Sequence, residues 1–567
     1  MNFLRRYWFI FLLPAIVIAL SFWLKSALGP FWQYADDSYI YLLNSVNLVK
    51  GLPSVLCTQP GVPVQVLGQL VILMFNMGHT MTETVRQVLL NPEYYLNAIN
   101  AVLLLLIALT SVLLGHYVYR KTGDVVAVLL SQLPNVFLLT LRLKLNDHPC
   151  AFDNVNAQPM LIAVTNIFNL FLLKLHFSKD NKDKNFTVFI LSFICGFGIA
   201  TKLTFLPLLG LILLFARWPM KPVAVVVTAA SFMLWTIPIL SSYRLLWAWL
   251  FALLTHTGHY GNGNAGFIDI KEYMATWAYI FHNYWFFVLL PAAFLLFPRS
   301  SFFVRAVSLM VLLQFVLIAK HFDDHYLVIA VDSLAPALVL FYLERVAGKK
   351  VFRTAALLLI IVSVIVCSII TLQYSSRIAA LTREVVGFSE MIHAKYPHSI
   401  YIGSYLRLPL STPEYALFMG NDSSGGAENQ ELSKLYPDYY AFFTEGKDDV
   451  PGTCSWGLWH FDRRVFADDL LKQYPHRRII FINSGYGFDQ TPYITRPLED
   501  GRYSHAYLLV GSQENAADSL FDMAIDAAQR SQYSQAFAFA LKSYQLHYQP
   551  EGKIKYLLSI LYPYVRH

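Results

Sequence analysis

The sequence predicts a polytopic α-helical membrane protein with a soluble α/β domain at its C-terminal end, and three observations carry that prediction. Of 567 residues, 56% are hydrophobic and only 14% are charged, more apolar surface than a water-soluble fold could cover. Long apolar runs recur as far as Tyr374, separated by short basic loops. Beyond about Ser375 the composition becomes that of an ordinary soluble domain. The formal charge of +7, from 43 Lys and Arg against 36 Asp and Glu, is modest for this length. Its basic members lie beside apolar runs, where they set topology, and nothing in it points to a nucleic-acid partner.

The first element, "MNFLRRYWFIFLLPAIVIALSFWLKSAL", reads as a membrane helix and not a cleaved secretory leader, because a long series of further apolar segments follows. Arg5 and Arg6 then lie in the cytoplasm. Further apolar segments run over 62–78, 94–118, 124–141, 159–177, 186–200, 203–216, 223–240, 273–297, 304–319, 326–343 and 354–374. With the first helix they make about twelve, which would return the tail to the cytoplasm if all crossed. The basic "RVAGKKVFR" before the last run belongs inside, so the last run leads outward and about 11 segments cross. Pro63, Gln65 and Gln69 make 62–78 the expected re-entrant or interfacial segment. A single broken passage over 186–216, interrupted at Thr201 and Lys202, is the alternative. The outer face then gathers the loop 29–61, "KLNDHPCAFDNVNAQ", the loop 241–272 and "KHFDDHY". Most Asp and His residues that interrupt the membrane portion fall in these loops.

Three domains are expected: a membrane domain over 1–374, an extracytoplasmic α/β domain over 375–512 and a helical tail over 513–567. "SIYIGSYLRL", "RRIIFINSG" and "HAYLLVGS" have strand character, separated by Gly, Asn, Asp and Pro. After Ser512 the spacing of small and aromatic residues predicts a helical hairpin resembling one tetratricopeptide unit, which would cap the domain or dock a partner protein. Of the five cysteines, Cys195 and Cys367 sit inside apolar runs as small hydrophobes. Cys57 and Cys150 would pair if both faced an oxidising compartment.

The candidate chemistry begins at Asp36 and Asp37 in "YADDSYIYLLNSVNLVKG". Tyr39, Leu42, Leu43, Val46 and Val49 recur at helical spacing and Gly51 ends the run, which predicts an amphipathic helix along the membrane surface. An Asp at that position is also a good N-cap, and a second acid suits the helix dipole. Capping and catalysis explain the pair equally well.

An acidic pair after the first membrane helix, then an aromatic-rich helix, Gly51 and "TQPGVP", resembles the first external loop of the GT-C superfamily of glycosyltransferases that use polyprenyl-phosphate sugars. The resemblance runs toward bacterial aminoarabinose, protein-mannosyl and arabinofuranosyl transferases, and "GIATKLTFLPLL" resembles their Lys-containing middle segment. "QPGVP" departs from the double proline common in the aminoarabinose group. The resemblance spans about residues 1–345. It implies a GT-C-like fold in the bacterial inner membrane and inverting transfer of a sugar to a glycan, lipid or protein acceptor on the periplasmic side. It also implies a polyprenyl-phosphate-linked donor.

Such a transfer needs a base for the acceptor proton and cations for the departing phosphate. Asp36 is the expected base, and Asp37 would raise its pKa, orient the acceptor or bind a metal. Lys202, between two apolar runs, would meet the lipid phosphate, although snorkelling to the interface is the plainer account. Arg142 and Lys144, beside Asp147 and His148, would supply phosphate contacts or a second acid. In "KHFDDHY", Lys320 and His321 would touch sugar or phosphate, while Asp323, Asp324 and His325 have the ligand types for a divalent cation. Asp147 and His148 are further candidate metal ligands. His256 and His259 lie in the glycine-rich "THTGHYGNGNAGF", a loop able to close over substrate or a plain linker. Two other classes compete with an enzyme: a transporter or flippase of lipid-linked saccharides, and a non-catalytic envelope-assembly protein. A transporter would place ionisable groups near the bilayer midplane.

Overall fold

In the computed structural model the described residues are 2–34, 36–56, 61–141, 152–257, 264–404, 412–443, 457–461, 463–484, 493–512, 514–530, 532–546, 557–558 and 560–562. The chain is a multi-pass membrane protein. Among the described residues nine helices are long and apolar enough to cross a bilayer: Tyr7–Leu28, Pro92–Thr122, Ala157–Phe177, Asn181–Thr201, Ile237–Thr255, Ile270–Leu296, Phe302–His321, Asp324–Arg345 and Lys350–Lys395. Four apolar helices are shorter: Val62–Phe75, Val125–Leu138, Leu203–Phe215 and Met220–Trp235. Val62–Phe75, with 14 residues, reaches only about 21 Å at helical rise, short of the ~30 Å hydrocarbon core. Asn181–Thr201 is parted from the next helical turn by Lys202, whose backbone is extended.

The chain divides into two compact units. The first comprises 1–27, 44–81 and 94–376; the second comprises 28–43, 82–93 and 377–567.

Side-chain amides and small residues join the helices of the first unit, as expected where lipid removes the hydrophobic drive to associate. Gln132 Nε2 donates to the carbonyls of Ile10 at 2.9 Å and Ser111 at 3.1 Å. Asn135 Nδ2 donates to Asn166 Oδ1 at 3.1 Å, and Asn169 Nδ2 to the Asp332 carbonyl at 2.9 Å. At Gly196 a Cβ would stand 2.3 Å from the Thr228 carbonyl, so glycine is what lets Asn181–Thr201 lie against Met220–Trp235. Thr228 and Ser231 hydroxyls then donate to the Ser192 and Phe193 carbonyls. The outward faces stay apolar: Leu358, Leu359 and Val362 on Lys350–Lys395 are all more than half exposed, a surface suited to lipid.

The second unit contains a seven-stranded sheet made of β1 (Ile400–Ser404), β2 (Tyr439–Phe443), β3 (Gly457–His460), β4 (Arg463–Val465), β5 (Ile479–Ser484), β6 (Tyr493–Asp500) and β7 (Ser504–Ser512). Its order is β4-β3-β2-β1-β5-β7-β6. β1 is parallel to both β2 and β5, and the other pairs are antiparallel. One face of the centre buries Ile400, Ile402, Tyr440, Phe442, Ile479 and Phe481, while Ile480 and Ile482 pack on Phe388 and Ile392. Burial on both faces explains why β1 and β5 are nearly continuous apolar runs. Pro497 lies in the edge strand β6 beside a register shift, where a missing N–H costs the sheet least. The tail forms the helices Glu514–Gln529 and Tyr533–Leu546, packed through Ala524, Ala527, Ala536 and Ala540.

The second unit also holds the segments 28–43 and 82–93. Glu93 accepts from the backbone N–H groups of Phe31 at 2.8 Å and Trp32 at 2.9 Å, and from the Tyr39 hydroxyl at 3.0 Å. Tyr39 is fully buried. A Cβ on Gly420 would come within 2.9 Å of the Tyr39 carbonyl carbon, so the helix Pro413–Ser423 approaches this segment at backbone contact. The Tyr436 hydroxyl donates to the Leu89 carbonyl at 2.9 Å.

Candidate active site

The helix Asp36–Val49 forms where the apolar spacing predicts it, and Gly51 follows it with φ +71°. Tyr39, Leu42, Leu43 and Val46 are buried as expected, but so are Ser38, Asn44, Ser45 and Asn47. The helix is therefore covered on its polar side as well, unlike a helix lying on a membrane surface with that side in water. Asn44 Oδ1 accepts from the Ser54 hydroxyl at 2.9 Å and the Val55 N–H at 3.0 Å, folding the following segment back onto the helix, and Ser45 packs against Gly68, where a Cβ would stand 2.3 Å from its hydroxyl. Asp36 is its first residue and Asp37, exposed, its second. The Asp36 side chain lies outside the described residues.

Lys202 is placed by an interruption of helical structure. Its N–H closes the helix Asn181–Thr201 on the Gly198 carbonyl at 2.8 Å, and its extended backbone leads into the turn Leu203–Phe205. Gly198 permits the reversal, because a Cβ there would stand 2.4 Å from the Phe205 ring. The Lys202 side chain is only 3% exposed, with its ammonium 4.5 Å from the centre of the Tyr326 ring. Tyr326 belongs to the turn Asp324–Tyr326, so the structure brings Lys202 to the "KHFDDHY" segment. Within that turn Asp324 is buried and accepts from the Tyr279 hydroxyl at 3.1 Å. Asp323 Oδ1 lies 2.9 Å from His325 Nδ1.

Lys320 and His321 have different neighbours. Lys320 Nζ donates to the Leu253 and Leu254 carbonyls at 2.6 and 3.0 Å, and His321 Nε2 donates to the Leu253 carbonyl at 3.0 Å. These carbonyls belong to the last turn of Tyr243–Thr255, where acceptors lack helical partners and a cation complements the dipole. His256 is the C-cap residue of the same helix, with Nδ1 2.9 Å from Thr255 Oγ1. Lys320, His321 and His256 thus gather at one helix end. Arg142, Lys144, Asp147, His148 and His259, together with Cys57 and Cys150, lie outside the described residues. Among the described residues no group of three or more His, Cys, Asp or Glu side chains is placed to hold a metal ion.

Sequence reasoning missed Asp153. It lies in "KLNDHPCAFDNVNAQ", just before the helix Ala157–Phe177, and is only 2% exposed. Burial raises its carboxyl pKa from 3.8 to about 7, against the opposing pull of local backbone N–H groups and the Lys25 charge. A carboxyl that changes charge near neutrality is suited to moving protons. The only signal in the sequence was its membership of a polar outer loop, shared with several other residues. Glu93 was missed as well, because an acid in the first turn of a helix has an ordinary capping explanation.

No protein-family model matches the chain, and no curated protein sequence matches it. Solved structures similar to it include ArnT from Cupriavidus metallidurans bound to undecaprenyl phosphate, at 14% identity and a TM-score of 0.44, covering 88% of this chain and 98% of that one. The apo state of the same protein gives 13% identity and a TM-score of 0.46, covering 88% and 97%.

Proposed function

We propose that this chain is a glycosyltransferase that moves a sugar from a polyprenyl-phosphate donor to a hydroxyl of an extracytoplasmic glycan, lipid or protein. The observation that supports it most is Lys202, an ammonium 3% exposed in a membrane protein, set where a helix breaks and against a turn carrying Asp324 and His325. A positive group beside a helix break is of the kind that steadies a departing lipid phosphate.

In this reading Asp36 takes the proton from the acceptor hydroxyl, whose oxygen attacks the anomeric carbon as the bond from that carbon to the phosphate oxygen breaks. The leaving phosphate carries the electron pair away, and the Lys202 charge stabilises it. One displacement inverts the anomeric centre. Asp37 orients the acceptor beside Asp36. Asp153 is the runner-up for the base, with its proton poised near neutral pH. The reaction face lies on the periplasmic side of a bacterial inner membrane, with the N-terminus in the cytoplasm.

A transporter of lipid-linked saccharides draws on one observation, Asp332, which is fully buried inside the apolar segment Asp324–Arg345. Supplying the purified chain with a panel of polyprenyl-phosphate sugars and candidate acceptors separates the two. The enzyme reading expects transfer with one polyprenyl phosphate released per sugar. Translocation of an intact lipid-linked saccharide in proteoliposomes, with no phosphate released from any donor, would overturn it.

A further inference from the structure

Three helices of the first unit end together at a basic hollow that the proposed chemistry does not use. They are the last turn of Pro92–Thr122, the last turn of Ala157–Phe177 and the first turn of Asn181–Thr201. The hollow has a volume of about 400 Å³ and is lined by Tyr117, Lys121, Lys174, Phe177, Lys179 and Asp183, among others. Its two acids are engaged. Asp183 lies 3.3 Å from Lys174 Nζ and accepts from the Ser178 hydroxyl at 2.5 Å, while Asp180 caps the helix by accepting from the Lys182 N–H at 3.3 Å. Lys121 and Lys179 add two further positive charges to the lining. The Tyr117 hydroxyl is buried and has no hydrogen-bond partner among the described residues. A buried donor of that kind is costly unless something fills the space beside it.

Below the hollow, Phe186, Phe189 and Phe193 are exposed on Asn181–Thr201, and Lys174 Nζ stands 5.8 Å from the Phe186 ring centre. Positive charge and a hydroxyl donor therefore sit directly at the end of an exposed apolar stripe. That is the layout of an amphiphile, an anionic head above acyl chains, and basic pockets between membrane helices take such headgroups. We propose that this hollow binds the phosphate of an anionic phospholipid, with Lys121, Lys179 and the Tyr117 hydroxyl on the phosphate oxygens and the acyl chains along Phe186, Phe189 and Phe193.

The test uses the full chain in neutral detergent, titrated with phosphatidylglycerol, phosphatidylcholine or inorganic phosphate, with thermal unfolding and retained lipid by native mass spectrometry as readouts. Phosphatidylglycerol should bind and raise the unfolding temperature, and the other two should not. Each lysine near the surface contributes about fivefold in affinity, so Lys121→Gln with Lys179→Gln should weaken binding about 25-fold. Tyr117→Phe keeps the ring and all charges, so a weakening of several-fold in a variant that unfolds like wild type would point to the hydroxyl itself. Arg217→Gln with Lys221→Gln, in another loop, should leave binding unchanged. Equal binding by wild type and the lysine pair, or an equal effect of the control pair, would sink the proposal. The same stabilisation by inorganic phosphate at matching concentration would assign the site to a free anion and overturn the lipid.

Discussion

Replacing Lys202 by Met keeps the unbranched apolar stem of the side chain and removes the ammonium. The structure sets two opposing terms for stability. The ammonium lies 4.5 Å over the Tyr326 ring in a site 3% exposed, a contact worth about 2 kcal/mol when desolvated. Removing the ion also removes the several kcal/mol that its burial costs. Stability should therefore shift little, by less than about 2 kcal/mol in either direction. Transfer should behave differently. A charged hydrogen bond to the donor phosphate contributes about 1.5–3 kcal/mol, which predicts a fall in kcat/KM for the lipid-linked donor of about 10- to 150-fold. The assay is initial-rate transfer in detergent or nanodiscs over a range of donor concentrations, with thermal unfolding in parallel. Lys202→Arg should recover part of the loss, since it restores charge with a different shape. A Lys202→Met protein with wild-type unfolding and kcat/KM within about threefold of wild type, about 0.65 kcal/mol, would show that Lys202 does not meet the donor.

Asp153 predicts a pH dependence of stability. Its carboxyl rises from 3.8 to about 7 on folding, so the folded state holds the proton longer; the contribution is full below pH 3.8 and is lost as pH climbs to about 7, by at most on the order of 4 kcal/mol. Asp153→Asn should flatten that slope in unfolding curves taken between pH 4 and 8, and an unchanged slope would rule out the buried carboxyl as its source. Gly420→Ala forces a methyl to within 2.9 Å of the Tyr39 backbone and should cost about 1–3 kcal/mol. Limited proteolysis should then cut 28–43 faster than in wild type, and an unaltered pattern would refute that packing. Asp332→Asn removes an acid that is fully buried and outside the proposed chemistry, so transfer rates should stay within about threefold; a complete loss in a variant that unfolds like wild type would place Asp332 in the transfer machinery.

The membrane helices were legible because an apolar run of sufficient length has few other uses. β1, β5 and β7 were legible as β-rich runs for a related reason, burial of the sheet centre on both faces. β4 has three residues and β6 carries Pro497 with several charges, so local pattern says little there. Lys202 stood out because a charge between two apolar runs is conspicuous in any context. The setting of Lys320 and His321 did not show, since their partners are backbone carbonyls 66 to 68 residues away, which no side-chain pattern encodes. Asp153 looked like one more loop acid because nothing in the adjacent residues marks it as buried. The packing of 28–43 with Pro413–Ser423 rests on a single missing methyl at Gly420 facing Tyr39, and no local signal marks that pairing.

The central claim is that a carboxylate at the start of the helix Asp36–Val49 takes a proton from an incoming alcohol. Single-turnover transfer from a bound polyprenyl-phosphate sugar, comparing wild type with Asp36→Asn across pH, tests it most directly. The account predicts a drop of about 100-fold or more in the chemical step, donor binding preserved, and loss of the acidic limb of the pH profile. Transfer by Asp36→Asn at the wild-type rate, with that limb still present, would contradict it and move the base to another group.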